Sequence, residues 1–282
     1  MRRPWRGSPE TSCPRMSLTV TILGCGSSGG VPRPGSGWGA CDPADPKNRR
    51  RRCSILVERH GPGGTTSVLI DTTPDLREQL LSAEVNRLDA TLFSHDHADH
   101  THGIDDLRAL VLHMRKRIPV HADAVTGETL RQRFGYLFET PPGSLYPPIL
   151  DLAPLAAGEP LTIDGPGGPV ETLPFRLEHG PNYDALGFRF GSLGYAPDVS
   201  AIPPESLPAM SGLDMLVLDC LRESPHPSHF NLEQSLEAIA QLKPRRAILT
   251  NLHVDLDYAS LTKRLPDNIE PAFDGMKLTI EA

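Results

Sequence analysis

The stretch Ser94-His95-Asp96-His97-Ala98-Asp99-His100 decides how this chain is read. It sets three histidines and two aspartates within positions 95 to 100. Leu88-Asp89-Ala90-Thr91-Leu92-Phe93 before it reads as a short buried strand. After Thr101-His102-Gly103 a helical pattern runs from Ile104 to Met114, with Leu107, Leu110, Val111 and Met114 on one face. The cluster therefore sits on a loop leaving a strand end, where α/β folds present chemistry from a rigid support. Imidazole nitrogen and carboxylate oxygen together suit zinc, manganese and iron. On an extended segment alternate side chains point the same way, so His95 and His97 can share one ion. Asp99 and His100 lie further round the turn and can reach a second ion, at the roughly 3.5–4 Å separation of two-metal hydrolases. The competing reading is a solvated polar loop or a helix cap made by Asp99; the density of ligands argues against it.

Nothing in the composition divides the 282 residues. The 25 glycines and 29 prolines are scattered, which fits a loop-rich single domain over 17–282. Residues 1–16 are basic and rich in Pro, Ser and Arg, and lack the apolar core of a signal peptide. They read as a disordered extension, with Met16 a candidate start. No apolar run approaches 18 residues, so no membrane helix is expected and the default address is the cytoplasm. A net charge of −7 argues against a surface built for extended nucleic acid. The five cysteines show no paired spacing and are expected to be free thiols.

Several further strands end on polar residues. Leu18–Leu23 reads as a strand, followed by the glycine-rich Gly24–Pro32, taken as a tight turn at the site rim in preference to a phosphate cradle. The run Asn48–Arg52 reads as a solvated face, with steering of an anionic substrate as the alternative. Ser67–Asp71 is apolar until Asp71, which either accepts from a metal-bound imidazole or caps a helix beginning near Pro74; both stay open. His121 and His113 read as structural and surface residues. Pro141–Pro160 reads as loop. His179 ends a strand from Val170 and suits a third ligand for the first ion. Asp198 follows a hairpin around Gly191 and can bridge both ions. Met215–Cys220 and Ala247–Thr250 are buried strands. The loop Pro225–Asn231, before a helix over 232–242, carries His226 and His229.

The string His-x-His-x-Asp-His over 95–100 resembles the signature of the metallo-β-lactamase superfamily, and the resemblance covers about Leu18 to Ala282. It implies a four-layer αββα sandwich with a metal pair at the strand ends. Leu23–Pro32, Arg50–Ser54, Asp219-Cys220 and Phe273–Met276 are similar to the branch containing the phosphoribosyl cyclic phosphate phosphodiesterase. That resemblance implies a first ion on His95, His97 and His179, a second on Asp99, His100 and a late histidine, and Asp198 bridging. It also implies that His229 contacts phosphate and can donate a proton; His226 is the weaker candidate for that role. Two departures stand out. The branch carries a zinc-binding cysteine cluster where only Cys41 remains, so Cys41 is expected to be a free thiol. Its late ligand follows a threonine, but in this chain the pair is Thr250-Asn251, and His253 is assigned instead.

The resulting expectation is a metal-dependent phosphodiesterase holding two divalent ions, Mn²⁺ or Zn²⁺. Asp99 and His229 are its catalytic residues and a small cyclic or nucleotide-like phosphate its substrate. Thioester, ester or lactone hydrolysis is the alternative. A tRNA 3′-end nuclease is disfavoured because no basic, glycine-rich clamp is visible, and a metal-binding protein without chemistry is disfavoured by the full ligand set. The expected partner is a small phosphorylated molecule, with no extended nucleic acid and no membrane; a homodimer is left open.

Overall fold

The computed structural model describes residues 17–281, and within them the first part of the chain builds one sheet and the second part another. Sheet one comprises β1 (Ser17–Gly24), β2 (Ser54–Gly61), β3 (Gly64–Ile70), β4 (Ala90–Leu92), β5 (Ile118–Ala122) and β6 (Leu150–Pro154). Sheet two comprises β7 (Leu161–Ile163), β8 (Val170–Glu178), β9 (Asp184–Phe190), β10 (Leu193–Ala196), β11 (Met215–Asp219), β12 (Arg246–Thr250) and β13 (Ile269–Pro271). The last strand, β14 (Lys277–Glu281), returns to pair antiparallel with β1, so sheet one runs β14-β1-β2-β3-β4-β5-β6 and sheet two β13-β12-β11-β10-β9-β8-β7.

The two-residue period of the strands sorts their side chains into layers. Ile55, Val57, Val68 and Ile70 point inward and meet Phe188, Phe190, Val217 and Ile248 of the other sheet in a core between the sheets. Their neighbours Leu56 and Leu69 point outward and pack on α1 (Leu76–Ser82), α3 (Leu107–Met114) and α4 (Ala124–Phe134) through Leu76, Leu107 and Leu130. On sheet two, Leu216, Leu218 and Leu249 point outward onto α5 (Leu232–Leu242) and α6 (Tyr258–Thr262) through Leu232, Ile239 and Leu261. The result is the expected four-layer αββα sandwich. Strands β3 to β6 are mutually parallel, as are β10 to β13, so their carboxyl ends open along one edge of the sandwich.

Two local expectations change, and one of the readings left open is excluded. Leu150–Pro154 is a strand at the free edge of sheet one, not loop; an edge position tolerates its terminal proline. Asp71 does not cap α1, whose N-cap is Asp75. The arginine run is a solvated face only in part. Arg50 is 2% exposed and donates to the carbonyls of Leu256 (2.8 Å) and His253 (3.3 Å), fastening the loop after β12. Arg51 pairs with Asp274 at 2.9 Å and Arg52 with Asp75 at 3.0 Å, while Arg49 is exposed. Cys25, Cys41, Cys53 and Cys220 are buried free thiols, and Cys41 Sγ lies against the carbonyls of Val254 and Leu256. The extension over 1–16, with Met16 and Cys13, lies outside the described residues. Among those described, no helix is long and apolar enough to cross a membrane.

Candidate metal centre

The motif loop is stitched to its neighbours by backbone. Asp71 N–H donates to Leu92 O (2.9 Å), Thr72 N–H to His100 O (2.7 Å) and Gly103 N–H to Thr72 O (2.8 Å). The last approach is so close that a Cβ on Gly103 would lie 1.9 Å from Thr73 O, which explains the glycine. Leu186 N–H donates to Ser94 O (2.8 Å), tying sheet two to the same loop.

Within that frame His95 and His97 face the same way, with ring centroids 4.5 Å apart. His179, immediately after β8, closes the group at 4.9 Å from His95 and 5.0 Å from His97. Asp96 turns the other way, accepting from Thr129 Oγ1 (2.7 Å) on α4 and from the Tyr183 hydroxyl. Behind the group, two residues past β10, lies Asp198. Its Oδ2 is 3.2 Å from His100 Nε2 and its Oδ1 3.9 Å from His179 Nε2. Asp99 Oδ2 is 3.6 Å from His100 Nε2. Candidate ligand atoms within 4.8 Å of one another fall into three overlapping sets: His95, His97 and His179; His95, His100 and Asp198; His179, Asp198 and His229.

The electrostatics suit a cation. Burial pushes the His95 imidazolium well down and His179 down to about 4, so both rings are neutral at neutral pH with a lone pair free. Burial pushes Asp198 up, but His100, His95, His179 and His229 outweigh it and keep the carboxylate ionised. Burial pushes His100 down, yet Asp198, Asp71 and Asp99 together raise it to about 10; a metal would compete for that proton at Nε2. His95 Nε2 is buried with no hydrogen-bond partner, and Asp198 Oδ2 has only its ion-pair contact with His100. Leaving such a nitrogen unpaired costs about 1–3 kcal/mol. A divalent ion between them removes that cost, so the donor set fits one.

Asp71, one residue beyond β3, supports the cluster from behind. Its Oδ2 is 2.8 Å from His100 Nδ1 and accepts from Ser94 Oγ (2.7 Å), while Oδ1 accepts from Ser94 N–H (2.8 Å). Of the two readings left open for it, this geometry matches support of an imidazole.

His229 lies on the opposite wall, its ring 4.7 Å from His179 and its Nδ1 2.8 Å from Asp219 Oδ2, at the end of β11. His226 lies at the mouth, 5.1 Å from His229 between ring centroids, with Nδ1 accepting from Ser228 N–H (3.3 Å). The assignment of His253 to the metal is corrected by the geometry. Its Nδ1 is 3.0 Å from Asp255 Oδ2, its Nε2 meets the Arg33 guanidinium, and it joins none of the three ligand sets. The reason is register. Asn251, the first residue past β12, takes a left-handed turn (φ 61°) that aims its side chain back at Asp198. His253 N–H is held by Leu221 O (2.9 Å) and its carbonyl by Arg50, which carries the ring to the rim.

Sequence reasoning gave no role to Tyr183, Asp219 or Asn251. The Tyr183 ring stacks on His97 at 4.8 Å and 7°, and its hydroxyl donates to Asp96, so it fixes the exposed member of the three-imidazole set. Asp219 was findable by the same logic as Asp71, since both are carboxylates closing an apolar strand. Tyr183 carried no such signal.

A four-layer sandwich with histidines and aspartates gathered at its strand exits is the architecture of a metal-dependent hydrolase. Residues 66–251 match the Beta-lactamase superfamily domain, and the chain belongs to that superfamily, among its metallo-hydrolases. Within the superfamily it is similar to a diphosphatase of the PhnP family, whose crystal structure superposes with TM-score 0.83 at 35% identity, covering 94% of this chain and 98% of that one. A protein of Porphyromonas gingivalis (strain ATCC BAA-308 / W83) named octanoyltransferase is 31% identical over 269 residues, 94% of this chain. The chain spans only about half of that relative, 52% of its length. Zinc-bound PqqB of Methylobacterium extorquens shares the fold with TM-score 0.70 at 17% identity, over 92% of this chain and 99% of its own.

Proposed function

We propose that this hydrolase is a phosphodiesterase acting on a small cyclic or nucleotide-like phosphate. The observation that carries the reading is the His229–Asp219 pair set against the metal cluster. Burial alone would push the His229 imidazolium down, but the Asp219 charge and hydrogen bond, with Asp198, raise it to about 9. It is therefore protonated at neutral pH, beside the place where a leaving alkoxide needs a proton. The similarity to a PhnP-family diphosphatase supports chemistry at a phosphate group.

His95, His97 and His179 would hold one ion, and His100 and Asp198 a second, of the zinc or manganese class, with Asp99, which joins none of the three sets, 3.6 Å from His100 Nε2 and able to reach that second ion. Bound there, divalent ions supply an activated water and neutralise charge on phosphate oxygens. The chain's own residues do the rest. Asp71 and Ser94 orient His100, Tyr183 orients His97, and Asp219 holds His229 charged. His229 then offers both a positive contact for phosphate and the proton for the leaving oxygen.

Hydrolysis of a thioester, ester or lactone is the second reading, favoured by the octanoyltransferase name of the P. gingivalis relative. The test is turnover by protein reconstituted with Mn²⁺ or Zn²⁺ on a cyclic phosphate, an aryl phosphodiester, an acyl thioester and a lactone. Phosphodiester cleavage is expected to dominate. Turnover confined to the acyl substrates would overturn the proposal in favour of the second reading.

A further inference from the structure

We infer that Arg33 and Arg222 form a second anion subsite at the rim of the metal centre, one that holds a phosphate other than the phosphate being cleaved. The subsite deepens the phosphodiesterase reading, rests on it for the scissile group, and narrows the substrate class to molecules carrying two separate phosphates.

The two arginines come from distant segments and meet around His253. The Arg33 guanidinium lies against the glycine-rich turn, where a Cβ on Gly29 would fall 2.2 Å from its Nε, and it reaches His253 Nε2 at the rim. His253 N–H donates to Leu221 O (2.9 Å), which sets that ring's backbone beside Arg222. Arg222 donates from Nε to Ser224 O (3.2 Å) and from Nη2 to Pro225 O (2.9 Å), so its own loop holds the guanidinium in place. Both charges are felt at one spot. Burial pushes the His253 imidazolium down; Asp255 opposes this, and the Arg33 and Arg222 charges push it further down. Burial likewise lowers His226, helped by His229, Arg222 and His253. The patch therefore continues through His226 to His229, with 5.1 Å between those two rings, and so reaches the group set against the metal cluster.

What sets the two arginines apart is the missing counter-charge. Arg51, Arg52 and Arg176 each have a carboxylate oxygen at 2.8–3.0 Å. Among the described residues neither Arg33 nor Arg222 is paired with a carboxylate, and both are half-buried. The acidic residues beside them are engaged elsewhere, Asp255 with His253 Nδ1 at 3.0 Å and Glu223 with Arg264 at 2.6 Å. A chain with 35 acidic residues against 28 basic ones has ample carboxylates, so two half-buried guanidinium groups without one mark a place for an anion from outside. The guanidinium fork matches phosphate oxygens, which favours that anion.

The test is binding together with turnover, on full-length protein loaded with zinc. Calorimetry compares adenosine 5′-monophosphate with adenosine 3′,5′-bisphosphate, and the bisphosphate is expected to bind at least about tenfold more tightly. Arg33→Met combined with Arg222→Met should bring that ratio below about threefold, and Arg33→Met alone should lower it part of the way. Arg245→Met removes the same charge at an exposed position and should leave the ratio unaltered. Melting curves check folding, and the Arg33→Met protein decides the matter if the double variant does not fold. Adenosine 2′,3′-cyclic phosphate with and without a 5′-phosphate gives the matching comparison in kcat/KM. Equal binding of the two nucleotides by the unaltered protein would overturn the inference, as would a preference that survives loss of the arginines or falls equally in Arg245→Met. A binding preference that the arginine variants remove, with neither cyclic phosphate hydrolysed, would keep the subsite and overturn the phosphodiesterase reading instead.

Discussion

Replacing Asp71 by Asn isolates the aim of a single imidazole. Asp71 is fully buried and occupies the left-handed region at φ 64°, where Asn is among the few residues tolerated, so the backbone is left undisturbed. The substituted amide must keep its oxygen towards Ser94 N–H, now 2.8 Å from Oδ1. Its NH₂ then falls where Oδ2 sits, 2.7 Å from Ser94 Oγ and 2.8 Å from His100 Nδ1. Two N–H groups would oppose each other unless His100 moves its proton to Nε2, the atom 3.2 Å from Asp198 Oδ2. An Nε2 that carries a proton has no lone pair for a metal. Losing such a supporting partner costs 10–100-fold in metal affinity in comparable sites, or about 1.4–2.7 kcal/mol. Zinc competition against a chromophoric chelator measures it, with melting curves of the metal-free proteins as the folding control. Asp71→Gly and Asp71→Ala separate side chain from backbone, since Ala alone meets the left-handed penalty of about 1–2 kcal/mol. A folded Asp71→Asn protein with unaltered zinc affinity would refute the orienting role of Asp71 and, with it, the ligation of His100.

Other outcomes follow from the same geometry. His229→Ala should keep its metal yet lose about 10²–10⁴-fold in turnover, with a smaller loss on a nitrophenyl ester whose leaving group needs no proton; equal losses on both substrates would assign His229 to phosphate binding only. Tyr183→Ala should weaken metal binding at the His97 position while Tyr183→Phe, which keeps the stack, largely restores it; equal behaviour of the two would place the effect in the Asp96 hydrogen bond. Chelation should abolish turnover and added Mn²⁺ or Zn²⁺ restore it, whereas full activity in verified metal-free protein would rule out a metal-dependent mechanism. Asp257 caps α6 and accepts from Ser260, Asp42 and Asn48; burial opposes this, but those donors pull its carboxyl from 3.8 down to about 2. Its stabilisation is therefore present above pH 4 and lost as pH falls towards 2, so Asp257→Ala should cost about 1 kcal/mol at pH 7 and much less at pH 2.5. An equal gap in melting temperature at both values would show that the cap charge contributes nothing.

The architecture was legible because the strands are short, apolar and alternately sided. Residues such as Val57, Leu56, Val217 and Leu216 state their face by position alone. The motif loop was legible because its donors are contiguous. What escaped depended on contacts between distant segments. Tyr183 and His97 are separated by the whole run from β5 to β8, and nothing local marks a tyrosine that will stack on a ligand. Arg50 looked like one member of a charged surface, yet its partners are the carbonyls of Leu256 and His253 from the far end of the chain. In the sequence, His253 is the histidine nearest the end of β12. The chain instead turns at Asn251, and a difference of two residues separates the centre of the site from its rim.

That turn has a counterpart across the sandwich. Asp71 follows β3 of sheet one and Asn251 follows β12 of sheet two; each is the first residue past its strand, buried, and left-handed, at φ 64° and φ 61°. A residue continuing in extended conformation would point along the strand's alternation, into the core or out to a helix layer. The left-handed step breaks that alternation and folds the side chain back over the strand end, where Asp and Asn incur less strain than other side chains. The two then act on opposite sides of one cluster, Asp71 accepting from His100 and Asn251 donating to Asp198. His100 and Asp198 are themselves 3.2 Å apart, so a continuous path of polar contacts crosses from one sheet to the other through the metal centre. Shifting either sheet relative to the other would break it, which makes the geometry of the site depend on the packing of the core between the sheets.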